Sequence, residues 1–246
     1  MRRFGLLGKS LSHSFSKGYF TQKFAELKLS DCRYENLELS SIDQLLPLIE
    51  SNPDIEGLNV TIPYKQEVIS LLAEQNDVVK KTGACNCIKV KEGKLYGFNT
   101  DVAGFLHSLK PKLQPHHTQA LVLGNGGASK AVQYTLDELE IPFCLVSRRQ
   151  QEGQLGYEDI GDEAMRKYTI IINTTPLGMF PNVDADPSIP YELLTDRHLL
   201  FDLIYNPEKT SFLKKGAAQG AQIVNGQEML VLQAEESWRI WNDASL

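Results

Sequence analysis

The sequence predicts an α/β protein, and two observations carry that reading. The first third of the 246-residue chain alternates short apolar strands with segments of helical apolar spacing, in the order β-α-β-α-β-α. That order argues for a mostly parallel sheet covered by helices. The second observation is Ala120-Leu121-Val122-Leu123-Gly124-Asn125-Gly126-Gly127-Ala128-Ser129-Lys130-Ala131, where four apolar residues run into a glycine cluster. The pattern then turns helical through Val132, Leu136 and Leu139. Strand, tight turn and helix open a second βαβ series, and the length fits two modest domains or one large α/β unit.

Taken in order, Phe4-Gly5-Leu6-Leu7-Gly8 reads as a short buried strand, and Ser14 to Leu27 as a helix with apolar positions at Phe20, Phe24 and Leu27. Tyr34 to Leu39 alternates as a strand. Ser41 caps a helix carrying Ile42, Leu45, Leu46 and Ile49, with Pro47 awkwardly inside it. Gly57 to Pro63 is a third strand closed by the proline, and a helix from Tyr64 to Ala73 follows. Cys87 to Lys91 and Lys94 to Asn99 alternate on either side of Glu92-Gly93, a β-hairpin pattern. Val102 to Leu109 is helical, with Thr100 or Asp101 at its cap, and 111–117 forms the natural junction. Beyond the Ala120 strand and a helix to Glu140, strands are expected at Pro142 to Arg148, Ile170 to Thr174, His198 to Tyr205 and Ala221 to Asn225. A final helix, Gly226 to Trp241, aligns Leu230, Ala234, Trp238 and Trp241 on one stripe.

Composition narrows the function classes. A net charge of −6 with no Lys/Arg-rich stripe argues against a nucleic-acid partner, since Lys80-Lys81 and Arg148-Arg149 are pairs and not patches. The apolar runs are too short to span a bilayer, and the start, basic then apolar, reaches Gly8, Lys9 and polar residues too soon for a signal peptide. The four cysteines include no Cys-x-x-Cys pair and read as buried free thiols in a reducing cytosol. Cys85 and Cys87 would project to one face of a strand; no His or Cys partner is placed to complete a metal site, so no metal is expected.

Several strand ends carry chemistry. Glycines in a strand-to-helix turn let the backbone approach a pyrophosphate while helix amides face the anion. Gly124 and Gly126 hold the first two glycine positions, and Ser129 stands where a third Gly or Ala is usual. Glycine also serves such turns for steric reasons alone. The next strand ends in Ser147-Arg148-Arg149, some 24 residues after Gly124, where an NAD site places an acidic residue and an NADP site an arginine for the 2′-phosphate; the spacing favours NADP, and a solvated basic pair is the alternative. Asn173-Thr174-Thr175-Pro176-Leu177-Gly178-Met179 is either a Pro-Gly turn or part of the ligand edge of an open α/β sheet. Ser12-His13-Ser14-Phe15-Ser16 offers hydroxyls that cap a helix or bind a small anion. Asn59 and Thr61 share a strand face with Lys65 just past Pro63, and Asn86 and Asn99-Thr100-Asp101 add amide and carboxylate groups at other strand ends.

In combination these stretches resemble the shikimate dehydrogenases over nearly the whole chain. The resemblance rests on Ser14-x-Ser16, Asn59-Val60-Thr61-x-Pro63-x-Lys65, Gly83-Ala84-x-Asn86, Asn99-Thr100-Asp101-x-x-Gly104 and the Gly124 turn. It continues through Ser147-Arg148, Asn173 to Met179, Asp202-Leu203-Ile204-Tyr205-Asn206-Pro207 with Thr210, and Asn225-Gly226 through Met229-Leu230 to Gln233. It implies an N-terminal substrate-binding catalytic domain, 1–103 with 229–246, and a C-terminal NADP-binding Rossmann domain, 104–228, with the reaction in the cleft between them. Lys65 and Asp101 are implied as the catalytic pair. Ser14 and Ser16 would bind the substrate carboxylate, and Thr61, Asn86, Tyr205 and Gln233 would surround the ring. The cofactor side would take Gly124, Asn125, Gly126, Gly127, Ala128, Ser147, Arg148, Arg149, Thr174, Pro176, Met179, Asp202, Leu203 and Gly226.

The chain departs from the family pattern at Lys17, where proline is common, Cys87, where threonine is common, and Asn125, where alanine is common. Ser147-Arg148-Arg149 stands for an Asn-Arg-Thr/Ser type of run. The activity implied is reversible, NADP(H)-dependent interconversion of 3-dehydroshikimate and shikimate in the cytoplasmic shikimate pathway of aromatic amino acid biosynthesis, by a monomer or homodimer. The alternatives are a quinate/shikimate dehydrogenase of broader specificity and a non-catalytic shikimate-sensing module.

Overall fold

The computed structural model describes residues 1–11, 14–149 and 152–245; Ser12 and His13, part of the hydroxyl-bearing stretch named above, lie outside the described residues. The elements run β1 (Arg2–Gly8), α1 (Phe15–Glu26), β2 (Cys32–Glu38), α2 (Leu45–Ser51), β3 (Ile55–Val60), α3 (Tyr64–Glu67), β4 (Glu74–Gln75), α4 (Asp77–Thr82), β5 (Cys87–Lys91) and β6 (Lys94–Phe98). They continue α5 (Thr100–Leu109), β7 (Ala120–Leu123), α6 (Gly127–Glu138), β8 (Phe143–Val146), α7 (Asp162–Lys167), β9 (Ile170–Asn173), β10 (Leu199–Asp202), α8 (Ser211–Ala218), β11 (Gln222–Val224) and α9 (Gln227–Asn242). The chain divides into two compact units, Met1–Thr100 with Ala234–Leu246, and Asp101–Gln233. Both junctions fall within helices, α5 and α9, a few residues from the boundaries expected at 103/104 and 228/229.

The first unit is built on a six-stranded sheet in the order β2-β1-β3-β5-β6-β4. The expected parallel pattern holds for β1 with β2 and β3, and for β4 with β6. It reverses at β5, which pairs antiparallel with both β3 and β6. The β5–β6 turn is the one expected at Glu92-Gly93, with φ of 52° and 72°, the left-handed pair that a two-residue hairpin requires. One sheet face packs Leu45, Ile49, Tyr64 and Val79 from α2, α3 and α4 against Leu7, Leu58, Val60, Ile88 and Leu95. The other packs Phe20 and Phe24 of α1 and Ala234, Ile240 and Trp241 of α9 against Phe4, Tyr34 and Cys87.

Helix α9 is fastened to this sheet by shape and by polar contacts. The indole of Trp241 lies against Gly57, stacks on Phe4 with ring centroids 4.9 Å apart and donates Nε1–H to the Ile88 carbonyl at 3.0 Å. Lys89 of β5 places its buried ammonium on the carbonyls of Ile240 and Asp243, so a cation satisfies the helix's last acceptors.

Three expectations change here. The helix expected from Tyr64 to Ala73 is α3 followed by a 3₁₀ turn, Val68–Leu71, because β-branched Val68 and Ile69 are weak helix formers and the chain then pairs as β4. Pro47 fits because Ile42–Gln44 is a separate 3₁₀ turn, so the proline sits in the first turn of α2, where its missing N–H has no intrahelical partner to lose. Cys85 and Cys87 do not share a strand face: Cys85 precedes β5 and packs in one core, whereas Cys87 packs in the other.

The second unit is a fully parallel five-stranded sheet, β11-β10-β9-β7-β8. Every residue of β7, β9 and β10 is buried, the continuous apolar pattern of strands covered on both faces. Phe105, Leu109, Val132, Leu136 and Met229 cover one face from α5, α6 and α9, and Met165, Phe212 and Leu213 cover the other from α7 and α8.

Candidate functional site

In the first unit the expected substrate residues gather at strand and helix ends joined by a buried polar network. Ser14 is the N-cap of α1, its Oγ accepting the Lys17 N–H at 3.3 Å. Acting as an acceptor leaves its own proton available to a ligand, so the capping and anion readings are compatible. Ser16, the second residue of α1, is buried. Burial pushes the Tyr34 phenol well above its ordinary pKa, and it donates to Asn59 Oδ1 at 2.8 Å. The Asn59 amide nitrogen in turn donates to Ser237 Oγ at 2.8 Å and to the Asn86 carbonyl at 3.4 Å.

Asn86 is buried and faces the start of α5. Its Oδ1 accepts the Thr100 N–H at 2.6 Å, and its Nδ2 reaches Thr100 Oγ1 at 3.1 Å. The expectation that Thr100 or Asp101 caps this helix is therefore corrected. Both lie inside its first turn, and the Asn86 side chain supplies the acceptor. Asn86 keeps one N–H beyond these bonds. Lys65 is the second residue of α3, half-buried, and its carbonyl accepts the Cys85 N–H at 2.7 Å, tying the lysine's backbone to the segment that carries Asn86. Thr61, half-buried, bonds through its backbone to Leu7 and Tyr64.

Asp101, Tyr205 and Gln233 belong to the second unit. Asp101 is half-buried and Tyr205 partly exposed, in the loop after β10. Gln233 is buried on α9, its Nε2 donating to the Leu230 carbonyl at 2.9 Å. Gly104 allows α5 to approach here, since a Cβ would fall 2.6 Å from the Met229 carbonyl.

The glycine turn of the second unit separates two tasks. Gly124 has a φ of 103°, and a Cβ would lie 2.8 Å from Thr174 Oγ1, so this glycine is required by conformation and by the approach of the chain after β9. Gly126 and Gly127 face open space, with Asn125 and Ala128 exposed beside them, at the start of the twelve-residue helix α6. Ser129, in the third position, is fully buried and accepts Gln133 Nε2 at 2.9 Å. Arg148 and Arg149 are exposed just past β8, and Ser147 Oγ donates to the Arg149 carbonyl at 2.8 Å. Open amides at a helix start, together with two exposed guanidinium groups one strand away, fit a phosphorylated dinucleotide.

Other residues expected on the cofactor side are occupied within the fold. Thr174 Oγ1 donates to the Leu123 carbonyl at 2.7 Å. Asp202 is fully buried and accepts from Thr210 Oγ1 at 2.6 Å, Asn173 Nδ2 at 3.0 Å and the Ile204 N–H at 3.1 Å. Burial lifts its pKa to about 6 against those three bonds. A Cβ on Gly226 would collide with the Leu203 carbonyl, so that glycine permits backbone packing. Leu203 is half-buried, whereas Pro176 and Met179 are exposed in the loop after β9. Among the described residues no group of three or more His, Cys, Asp or Glu could hold a metal ion, and no helix is long and apolar enough to cross a membrane.

Residues 6–88 match the family model described as the shikimate dehydrogenase substrate binding domain. A Clostridium beijerinckii protein named shikimate dehydrogenase (NADP(+)) is 40% identical over 256 aligned residues, covering 100% of this chain and 94% of that protein. The chain belongs to the shikimate dehydrogenase family. Two solved shikimate dehydrogenases share its fold along the same length. One is a chorismate mutase/shikimate 5-dehydrogenase fusion protein from Clostridium acetobutylicum, with 32% identity, a TM-score of 0.86 and coverage of 100% of this chain and 92% of that one. The other, from Thermus thermophilus in complex with NADP(H) and shikimate, has 30% identity, a TM-score of 0.86 and coverage of 98% and 94%.

Tyr34 and Ser237 join the expected site residues of this shikimate dehydrogenase chain without having been singled out in the sequence. The available signal was a polar residue on the buried face of α9, three positions after Ala234 and four before Trp241.

Proposed function

We propose that the protein reduces 3-dehydroshikimate to shikimate reversibly with NADPH, in the cytoplasm, within the shikimate pathway. The observation that carries this reading is the near-full-length similarity to a protein named shikimate dehydrogenase (NADP(+)), in a chain that also keeps Lys65, Asp101 and the glycine turn. The exposed Arg148 and Arg149 support NADP over NAD, because a guanidinium fork matches a 2′-phosphate.

NADPH, when bound, supplies the hydride that reaches the C3 carbonyl carbon. Charge then builds on the carbonyl oxygen. The Lys65 ammonium stabilises it, gives it a proton and is reprotonated from solvent. The Asp101 carboxylate orients the lysine and the nascent hydroxyl, and the Ser14 and Ser16 hydroxyls hold the substrate carboxylate. The amides of Gly126, Gly127 and the first turn of α6 hold the pyrophosphate.

The test is absorbance at the reduced-nicotinamide band with shikimate or quinate and NADP or NAD, in all four pairings. Fast reduction confined to shikimate with NADP is expected. Turnover with quinate or NAD replaces the assignment by a broader dehydrogenase, and shikimate binding without turnover replaces it by a sensing module.

A further inference from the structure

Strand β2 is an outer strand of the first unit's sheet and pairs with β1 alone among the described residues. The Asp31 carbonyl accepts the Arg2 N–H, and the Leu39 N–H donates to the Gly8 carbonyl, so the odd-numbered residues of this stretch turn their backbone groups toward β1. Cys32, Tyr34, Asn36 and Glu38 therefore turn theirs outward. The Cys32 N–H is taken by the Leu29 carbonyl, whereas the N–H and C=O of Tyr34 and Asn36 meet no acceptor or donor among the described residues. A cleft of about 490 Å³ opens along this edge, lined by Phe24, Ala25, Lys28 and Leu29 from α1 and the turn after it, and by Arg33 and Tyr34 of β2. Tyr34 is only 4% exposed, so water does little for its two unpaired backbone groups, and a further strand would satisfy them.

Charge selects the register in which a second copy of β2 fits here. Arg33 and Glu35 share the sheet face opposite to Tyr34, with side chains 44% and 36% exposed. Within their own chain they form only long ion pairs, Arg33 with Glu35 at 3.5 Å and Asp54 at 3.8 Å, and Glu35 with Arg3 at 3.6 Å. With two strands antiparallel and Tyr34 opposite Tyr34, Arg33 of each copy stands opposite Glu35 of the other. These are non-hydrogen-bonded positions, where opposing residues come closest, about 4.5 Å between Cα atoms. The Tyr34 residues exchange N–H···O bonds, and each Asn36 N–H meets the Cys32 carbonyl of the other copy, so the engaged Cys32 N–H is not needed. Centring the pair on Arg33 or Glu35 sets like charges opposite each other, and centring it on Asn36 leaves Glu35 opposite Leu37.

We propose that the outer edge of β2 is a contact between two copies of this chain, joined antiparallel at Tyr34 into one continuous sheet, with two Arg33–Glu35 pairs fixing the register.

The experiment is sedimentation equilibrium of the full chain over a dilution series at low ionic strength, with melting temperatures to establish folding. Wild type is expected to dimerise. Arg33→Glu should raise the dissociation constant about 100-fold, about 10-fold for each of the two pairs turned repulsive. Arg33→Glu combined with Glu35→Arg restores opposite charges across the contact and should return the constant to within about 10-fold of wild type. A monomeric wild type overturns the proposal, as does a dimer that Arg33→Glu leaves intact or a folded double variant as weak as the single one. If the reversed variants do not fold, Arg33→Cys combined with Glu35→Cys decides. Mild oxidation should link that protein into a covalent dimer far more than Arg33→Cys alone, because only the pair places thiols opposite each other; equal linking, or none, overturns the proposal.

Discussion

The indole of Trp241 occupies the space that a side chain on Gly57 would fill, so a residue near the end of the chain closes the middle of the first unit's sheet. Gly57→Ala should destabilise the protein by about 1–3 kcal/mol through overpacking. Gly18→Ala should do the opposite. That glycine lies inside α1 with nothing near its Cβ position, so alanine should add about 0.5–1 kcal/mol. Denaturant unfolding of both variants checks the pair, and equal effects would contradict it.

Lys65→Ala should lower kcat by about 100-fold or more while changing KM for shikimate much less, since its interaction with the carbonyl oxygen strengthens as charge develops. Steady-state kinetics with saturating NADP reads the split. Near wild-type kcat would remove Lys65 from the reaction.

Arg148→Ala should raise KM for NADP about 10-fold or more and leave turnover with NAD little changed, because a charge-assisted fork to a phosphate is lost only where the phosphate exists. Equal losses with both cofactors would place the effect elsewhere.

Asp202 gives a pH dependence of definite sign. Its folded pKa, about 6, lies above its ordinary value of 3.8, so the unfolded chain releases this proton first. The stability that the protonated carboxyl contributes is therefore full below about pH 4, declines as pH rises and is gone above about pH 6. A difference of that size corresponds to about 3 kcal/mol at most. Asp186 and Glu235, held below their ordinary values chiefly by bonds to Lys215 and Lys23, act in the opposite sense and mask the effect in wild type. The stability of Asp202→Asn relative to wild type isolates it: the difference should shift in the variant's favour between pH 4 and 6. Parallel curves would overturn the assignment.

The sequence exposed most where one local pattern decides. Ala120 to Leu123 could be read as a buried parallel strand because every position is apolar, and Glu92-Gly93 as a hairpin turn because the segments on either side alternate, and both residues then adopt positive φ. What it concealed depends on distant partners. The two-residue strand β4 exists because β6 pairs with it, and the start of α5 is capped by Asn86, fourteen residues earlier. Asp202 illustrates the same limit at the candidate site. The family resemblance places it on the cofactor side; in the fold its carboxylate also accepts from Thr210, Asn173 and the Ile204 amide, three groups that no spacing rule connects.

Helix α9 begins in one unit and finishes in the other, and this orders events at the ribosome. Synthesis delivers the six strands of the first sheet long before Trp241, with the whole of Asp101–Gln233 emerging between them. During that interval Phe4, Phe20 and Gly57 lack their final cover, while the second unit has all its strands and can fold as soon as it clears the exit tunnel. The half of the protein translated first is thus the half completed last.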